Sequence, residues 1–266
     1  MKTVGIIGLG WLGLELASSF KKMGFQIVGT TRSLSKAQEI KREFNQIIPY
    51  QLGESLEILS FNYQVDLFVL TIPPSSVVEY SIELNKTIRF LKKNHKTAKI
   101  VYTSSISVYG SASRNIDETS SINPETLNAK KIVEVERYLT ENYYESAAII
   151  RLAGLVGGNR DPVHYLSGKT GVKKPRAKVN LIHREDVLHL ILTLMEHFQA
   201  GIFNLACTSH PIRKDYYNWM AEQKGLLQVE FDEEDIRLDK VVNCIAVKSM
   251  NFEFKYNSPY DFPISI

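Results

Sequence analysis

The sequence predicts an α/β fold, a doubly wound parallel sheet with a small C-terminal lobe. Three observations predict it. Short apolar runs alternate with helical patterns along most of the chain, as they do in repeated βαβ units. Several runs are apolar at successive positions, as in Asp66-Leu67-Phe68-Val69-Leu70, and strands covered by helices on both faces read that way. The first run leads directly into Gly8-x-Gly10-x-x-Gly13 and then into a helical pattern.

In order, strands are expected over residues 4–7, 25–29, 46–50, 65–72, 99–103 and 147–152. Leu12, Leu16 and Phe20 recur at helical spacing beside Gly13 and Ala17, so the first helix follows the glycines. Further helices are expected over 35–44, 77–93 and 126–142, with Ser75 and Ser76, after two prolines, as caps of the second of these. Beyond Arg151 the pattern loosens. Residues 157–178 are rich in Gly, Pro and basic side chains and read as a loop-rich excursion. Short strands at 181–182 and 202–205 flank a helix from 184 to about 197. The expected division is therefore 1–155 with 181–206 as the sheet domain, and 156–180 with 207–266 as the lobe.

A chain of 266 residues with 44% hydrophobic content can bury one large core, or one core and a small lobe. No apolar run approaches the roughly 20 residues that a bilayer span needs, so no membrane partner is expected. Residues 3–7 read as a strand rather than as an export signal. Cys207 and Cys244 form no disulfide or metal framework, and the expected location is the cytoplasm. A net charge of +3 is too small and dispersed to argue for nucleic acid. His183 and His189 are six apart without further ligands at metal spacing, and His164 has only Asp161 nearby.

The glycine spacing carries the chemistry. Gly8 permits a tight turn, Gly10 lets backbone approach a diphosphate, and Gly13 lets the helix pack against the strand. The loop, including Trp11 and Leu12, then presents helix N-terminal amides and the positive end of the helix dipole to phosphate. This is a Rossmann-type dinucleotide site. At the end of the second strand, sheets that bind NAD usually present an acidic residue to the ribose hydroxyls. Here stand Thr30-Thr31-Arg32-Ser33, with Lys36 nearby and no carboxylate before Glu39. Arg32 can grip a 2′-phosphate in two-pronged fashion, with Thr31 and Ser33 as hydroxyl donors. The expected cofactor is NADP, with NAD as the alternative. Thr71, Ile72 and Pro73, after the fourth strand, should line the nicotinamide-side ribose.

Four stretches carry a family resemblance. They are KIVYTSSISVYG (99–110), IIRLAGLVGGNRDP (149–162), VNLIHREDVLHLIL (179–192) and GIFNLA (201–206). In this order they resemble landmarks of the extended short-chain dehydrogenases/reductases, the NAD-dependent epimerase/dehydratase group. The likeness is closest to the bacterial YeeZ-type atypical members. The resemblance implies that Ser105 orients the reacting oxygen and that Lys130 hydrogen-bonds the nicotinamide ribose. The family's Tyr-x-x-x-Lys would place its tyrosine at Thr126, with Thr126, Lys130 and Glu134 on one helical face. The lysine is retained and the tyrosine is not. A threonine hydroxyl is far less acidic and reaches less far than a phenol, so the proton donor is unassigned.

Tyr109, Tyr165 and His183 are other proton-transfer candidates, His183 reading better as a hydrogen-bonded structural histidine. Arg160, Lys169, Lys173, Lys174 and Arg176 point to an anionic, phosphorylated or nucleotide-linked small-molecule substrate, or else form a solvated basic loop. The expected function is an NADP(H)-binding oxidoreductase or epimerase/dehydratase-like enzyme. The alternative is a non-catalytic NADP(H) sensor or scaffold. A third reading is a β-hydroxyacid dehydrogenase, whose opening GIIGLGWLG resembles but whose second domain is all helical. By family analogy, a homodimer would form through helices 77–93 and 126–142.

Overall fold

The structure is a computed structural model that describes residues 1–111 and 114–264. The last two residues of the expected lobe lie outside the described ones. In chain order the elements open with β1 (Thr3–Ile7), α1 (Trp11–Lys22), β2 (Gln26–Thr31), α2 (Leu34–Ile40), β3 (Gln46–Pro49), β4 (Leu67–Leu70), α3 (Tyr80–Asn94) and β5 (Lys99–Ser105). There follow β6 (Asn115–Ile116), α4 (Leu127–Tyr143), β7 (Ala147–Leu152), β8 (Gly154–Val156), α5 (Val163–Leu166), β9 (Leu181–His183) and α6 (Arg184–Glu196). The chain continues with β10 (Gly201–Leu205), α7 (Arg213–Gln223), β11 (Val241–Val242) and α8 (Ile245–Ser249).

A seven-stranded sheet runs in the order β10-β7-β5-β4-β1-β2-β3. β1 lies parallel to β2 on one side, with Ile7 opposite Thr30, and parallel to β4 on the other, with Ile7 opposite Leu70. The chain thus winds outward from β1 in both directions. That is the doubly wound Rossmann topology the alternating pattern predicts.

The chain forms two compact units. The first comprises Met1–Ser105, Thr126–Ile150 and Ile191–Gly201. Its strands are buried on both faces, which is why Val4, Ile6, Ile27, Val28, Phe68, Val69, Ile100 and Val101 needed no polar alternation. Leu16, Ala17 and Phe20 of α1, Leu84, Ile88 and Leu91 of α3, and Val135 and Leu139 of α4 supply the buried helical stripes. The second unit comprises Ile106–Glu125, Arg151–Leu190 and Ile202–Ile266. Its core gathers Val156, Val163, Val179 and Leu181 around Tyr216, Tyr217, Met220, Tyr256 and Phe262. Two small parallel pairs, β8 with β9 and β6 with β11, belong to it.

Some boundaries differ from the expectation, for local reasons. α3 starts at Tyr80, not residue 77, and neither Ser75 nor Ser76 caps it, since Glu79 stands at the cap without a side-chain bond. The Pro73-Pro74 pair opens a turn in which the Ser76 amide donates to Pro73 O at 3.1 Å, and this delays the helix. α2 stops at Ile40 instead of residue 44, and α4 begins at Leu127 instead of 126. The excursion over 157–178 carries only the single turn α5.

Candidate active site

β1 ends at the point where the sheet's winding reverses, the place where open α/β sheets bind ligands outside the carboxyl ends of their strands. The three glycines there do different work. Gly8 holds φ +110°, a conformation side chains rarely adopt, and a Cβ on it would lie 2.9 Å from Ile72 Cγ1. A Cβ on Gly13 would lie 2.3 Å from Gly8 O, so this glycine lets α1 press against the turn. Gly10 is different: an added Cβ would meet only Gly8 O, at 4.0 Å. Two glycines serve the protein's contact with itself, and the middle one keeps a space open at the helix N-terminus.

Following the backbone amides shows what faces that space. Gly8 N–H donates to Thr30 Oγ1 at 3.1 Å, Leu9 N–H to Thr30 O at 2.6 Å, and Gly10 N–H to Gly8 O at 2.7 Å. Leu14 N–H turns back to Gly10 O at 3.0 Å, and Gly10 offers α1 no side-chain cap. Among the described residues, the amides of Leu12 and Gly13 in the first turn take no part in these bonds, and they lie at the positive end of a 12-residue helix. Backbone donors beside an unfilled glycine fit a dinucleotide diphosphate.

At the end of β2, Thr31 is buried while Arg32 and Ser33 are exposed. Ser33 caps α2, its Oγ accepting from the Lys36 amide at 3.2 Å and lying 2.7 Å from Ser35 Oγ. After β4, the Thr71 hydroxyl donates to Gly8 O at 2.6 Å. The Ile72 carbonyl accepts from the Tyr80 hydroxyl at 2.9 Å, and Tyr80 in turn lies 3.2 Å from the Tyr102 hydroxyl. Burial pushes both phenols above their ordinary range, so they act as neutral hydrogen-bonding struts.

The residues expected to carry the reaction are placed as follows. Ser105 is the half-buried last residue of β5. The preceding Ser104 is buried, and its hydroxyl donates to Glu136 Oε1 of α4 at 2.5 Å. Thr126 is not on a helical face with Lys130 and Glu134 as the spacing implied. It has extended backbone and is the cap of α4, accepting from the Ala129 amide at 3.1 Å. Lys130 is exposed in the first turn, and Glu134 accepts a hydrogen bond from Ser81.

In the second unit, Tyr109 is only 2% exposed, and its hydroxyl sits between two partners. It donates to Asn204 Oδ1 and accepts from Arg151 Nη1, both at 2.8 Å. Burial raises its phenol against the opposing pull of the Arg151 guanidinium. His183 Nδ1 accepts from the Glu185 amide at 3.3 Å, its ring lies edge-on to Tyr256, and burial holds it below the ordinary imidazole range. Tyr165 is exposed on α5. Lys173 pairs with Asp232 at 2.5 Å and Lys174 with Asp239 at 2.8 Å. Lys173 and Lys174 of the basic excursion are thus paired within their own unit.

Sequence reading missed Thr30, the Ser104–Glu136 pair and the Tyr80–Tyr102 struts. Each is a polar residue inside an apolar pattern whose partner lies far along the chain, and only the fold shows the pairing. Among the described residues no cluster of His, Cys, Asp or Glu is arranged to hold a metal ion. No helix there is long and apolar enough to cross a membrane.

Comparison with known proteins bears on the same residues. Residues 3–129 match the family described as the NAD binding domain of 6-phosphogluconate dehydrogenase, which spans the glycine turn and the 71–74 loop. Beyond residue 200 the described helices are α7 and α8, of 11 and 5 residues, not an all-helical second domain. The chain aligns at 20% identity and TM-score 0.78 with a functionally unknown conserved protein from Silicibacter pomeroyi, covering 97% of this chain and 95% of that one. With the UDP-glucose 4-epimerase of Thermotoga maritima the identity is 14% and the TM-score 0.79, covering 95% and 94%. With a UDP-glucuronic acid 4-epimerase from Bacillus cereus, solved in complex with NAD, they are 14% and 0.76, covering 95% and 93%. These likenesses establish the fold, which the chain shares with those three proteins. Protein YeeZ of Escherichia coli is 31% identical over 278 aligned residues, which cover 99% of this chain and all of that protein. On that full-length identity, the chain belongs to the YeeZ family.

Proposed function

We propose that this chain is an NADP(H)-dependent enzyme of the oxidoreductase or epimerase/dehydratase kind, acting on a small polar substrate of the phosphorylated or nucleotide-linked sugar type. The observation that carries the reading is the turn itself. An unfilled Gly10, an uncapped α1 and inward-satisfied neighbouring amides leave Leu12 and Gly13 as donors for a diphosphate. When bound, the nicotinamide supplies a hydride acceptor or donor. Arg32, exposed at the end of β2 beside Ser33 and ahead of any carboxylate, favours a 2′-phosphate over bare ribose hydroxyls. Lys130 would hold ribose and Ser105 the reacting oxygen. The substrate class is supported by what the Thermotoga maritima neighbour holds, UDP-glucose, and by Arg160, Lys169 and Arg176 in the basic excursion.

Affinities for NADPH and NADH, measured on wild type and Arg32→Ala, test the cofactor choice. NADPH binding should weaken by about tenfold or more with NADH little changed, as expected for losing a charge-assisted bidentate contact. An unchanged ratio removes Arg32 from the account.

A non-catalytic sensor or scaffold is the second reading. It is favoured by Thr126, whose hydroxyl caps a helix where the family carries its tyrosine. Cofactor-dependent partner binding without turnover on any carbonyl or sugar nucleotide would select it. For the assembly we propose a homodimer through α3 and α4, which expose Ile82 and Leu127. Light scattering should give twice the chain mass, and Leu127→Lys should halve it. A monomeric wild type excludes the dimer.

A further inference from the structure

We propose that Thr30 and Thr71 are positioning residues, a two-hydroxyl clamp that holds the Gly8 peptide in its binding shape before any ligand arrives. The inference rests on the dinucleotide reading above. Thr30 is at the end of β2 and Thr71 follows β4, the two strands that flank β1. Thr30 Oγ1 accepts the Gly8 N–H at 3.1 Å, and the Thr71 hydroxyl donates to the Gly8 carbonyl at 2.6 Å. One residue is therefore gripped at its N–H and at its C=O, from opposite sides, by two side chains distant in sequence.

Gly8 is where a grip is most needed. Its φ of +110° is accessible to glycine, but glycine also has the largest conformational freedom to lose. The Thr71 hydroxyl does more than satisfy one carbonyl. It lies 3.2 Å from the Cβ position of Gly8 and 3.0 Å from that of Gly13, so it fills the junction between turn, helix and the 71–74 loop. The Thr71 amide also donates to Ile7 O at 3.0 Å, and the Tyr80 hydroxyl holds the next carbonyl, that of Ile72. The two loops that face the cofactor are thereby tied to each other and to the core. An ordinary strand threonine would satisfy its own neighbours. These two converge on a third segment, and the effect is to leave the Leu12 and Gly13 amides directed outward at fixed spacing. Pre-ordering of this kind raises affinity by lowering the cost of ordering the loop on binding.

The test uses the full chain as wild type, Thr30→Val, Thr71→Val and Thr71→Ser. Valine keeps the branched shape without the hydroxyl, and serine keeps the hydroxyl. ADP and NADPH affinities are measured by calorimetry, and hydrogen exchange is followed on the ligand-free proteins. Each valine variant should weaken ADP and NADPH together by about three- to tenfold, the range for losing one hydrogen bond, and leave the NADPH-to-NADH ratio unchanged. Exchange in residues 8–14 should speed up while the α3 amides stay protected, and Thr71→Ser should return both readouts toward wild type. The clamp is overturned if the valine variants bind and exchange like wild type, or if protection falls equally across the first unit. If wild type binds neither ligand, the cofactor reading fails by itself, and the exchange data still decide whether the clamp orders the turn.

Discussion

Gly10 and Gly13 differ by three positions and by the reason each lacks a side chain, and substitution separates the two reasons. Gly10 has φ −84°, which alanine adopts freely, and open space where its Cβ would go. Gly10→Ala should therefore melt at or slightly above the wild-type temperature, since alanine restricts the unfolded chain, and still lose NADPH binding because the methyl occupies the diphosphate's place. Gly13→Ala puts a methyl 2.3 Å from Gly8 O and should lower the melting temperature as well as abolish binding. Thermal melts and cofactor titration of the two variants check this, and a Gly10→Ala protein that binds normally would move the phosphate elsewhere. These roles were legible in the sequence because they follow from spacing. Thr126 was not read correctly, because a threonine at a helix start serves equally as the first face residue or as the cap, and one residue of register decides. As the cap, Thr126→Ala should cost about 1 kcal/mol by denaturant unfolding, and Thr126→Asp should recover it. Loss without recovery would mean that the hydroxyl does something other than capping.

The same logic extends to whole elements. β1 to β5 and β7 were legible because a strand covered on both faces is apolar throughout, whatever its neighbours. Boundaries were less so where Pro73-Pro74 forced a turn before α3. The polar seams between elements were not legible at all, since alternation cannot show which helix a strand serine will meet. Ser104 and Glu136 form one such seam between β5 and α4, with Glu136 only 4% exposed. Removing a hydrogen bond to a buried charged group costs about 1.5–3 kcal/mol. Ser104→Ala should lose that much in urea unfolding. In a double-mutant cycle the same substitution in a Glu136→Gln background should cost about 1 kcal/mol, as for a neutral hydrogen bond. Equal costs in both backgrounds would show that the carboxylate's charge plays no part in joining strand to helix.

At the scale of the whole molecule, the two units differ in how they should respond to acid. Among the described residues, the carboxyls held below their ordinary range belong to the second unit. The Thr119 hydroxyl does this for Asp117, the Ser111 amide for Glu125, Lys173 for Asp232 and Arg237 for Asp235. Burial works the other way at Glu185 and Asp239, but the Lys255 and Lys174 ammonium groups outweigh it. A carboxyl whose folded pKa lies below its unfolded value contributes stability that is present above about pH 4 and is lost as pH falls through the folded value. Most of these groups are near solvent, so each contributes little and the effect is their sum. One carboxyl runs against the trend. Asp186 is fully buried and its pKa is raised by burial, so its contribution is largest at low pH and is lost as pH rises. Imidazoles held low by desolvation in both units, the buried His95 in the first and the buried His183 and half-buried His210 in the second, begin to cost stability below about pH 6.5, so they do not distinguish the units. Hydrogen exchange between pH 7 and pH 3 should therefore show a shared, shallow loss of protection first. Below about pH 4 it should deepen in β8, β9 and α7 ahead of β1, β4 and α3. Simultaneous opening of both sets of elements would mean that the lobe's charge network does not govern its acid response.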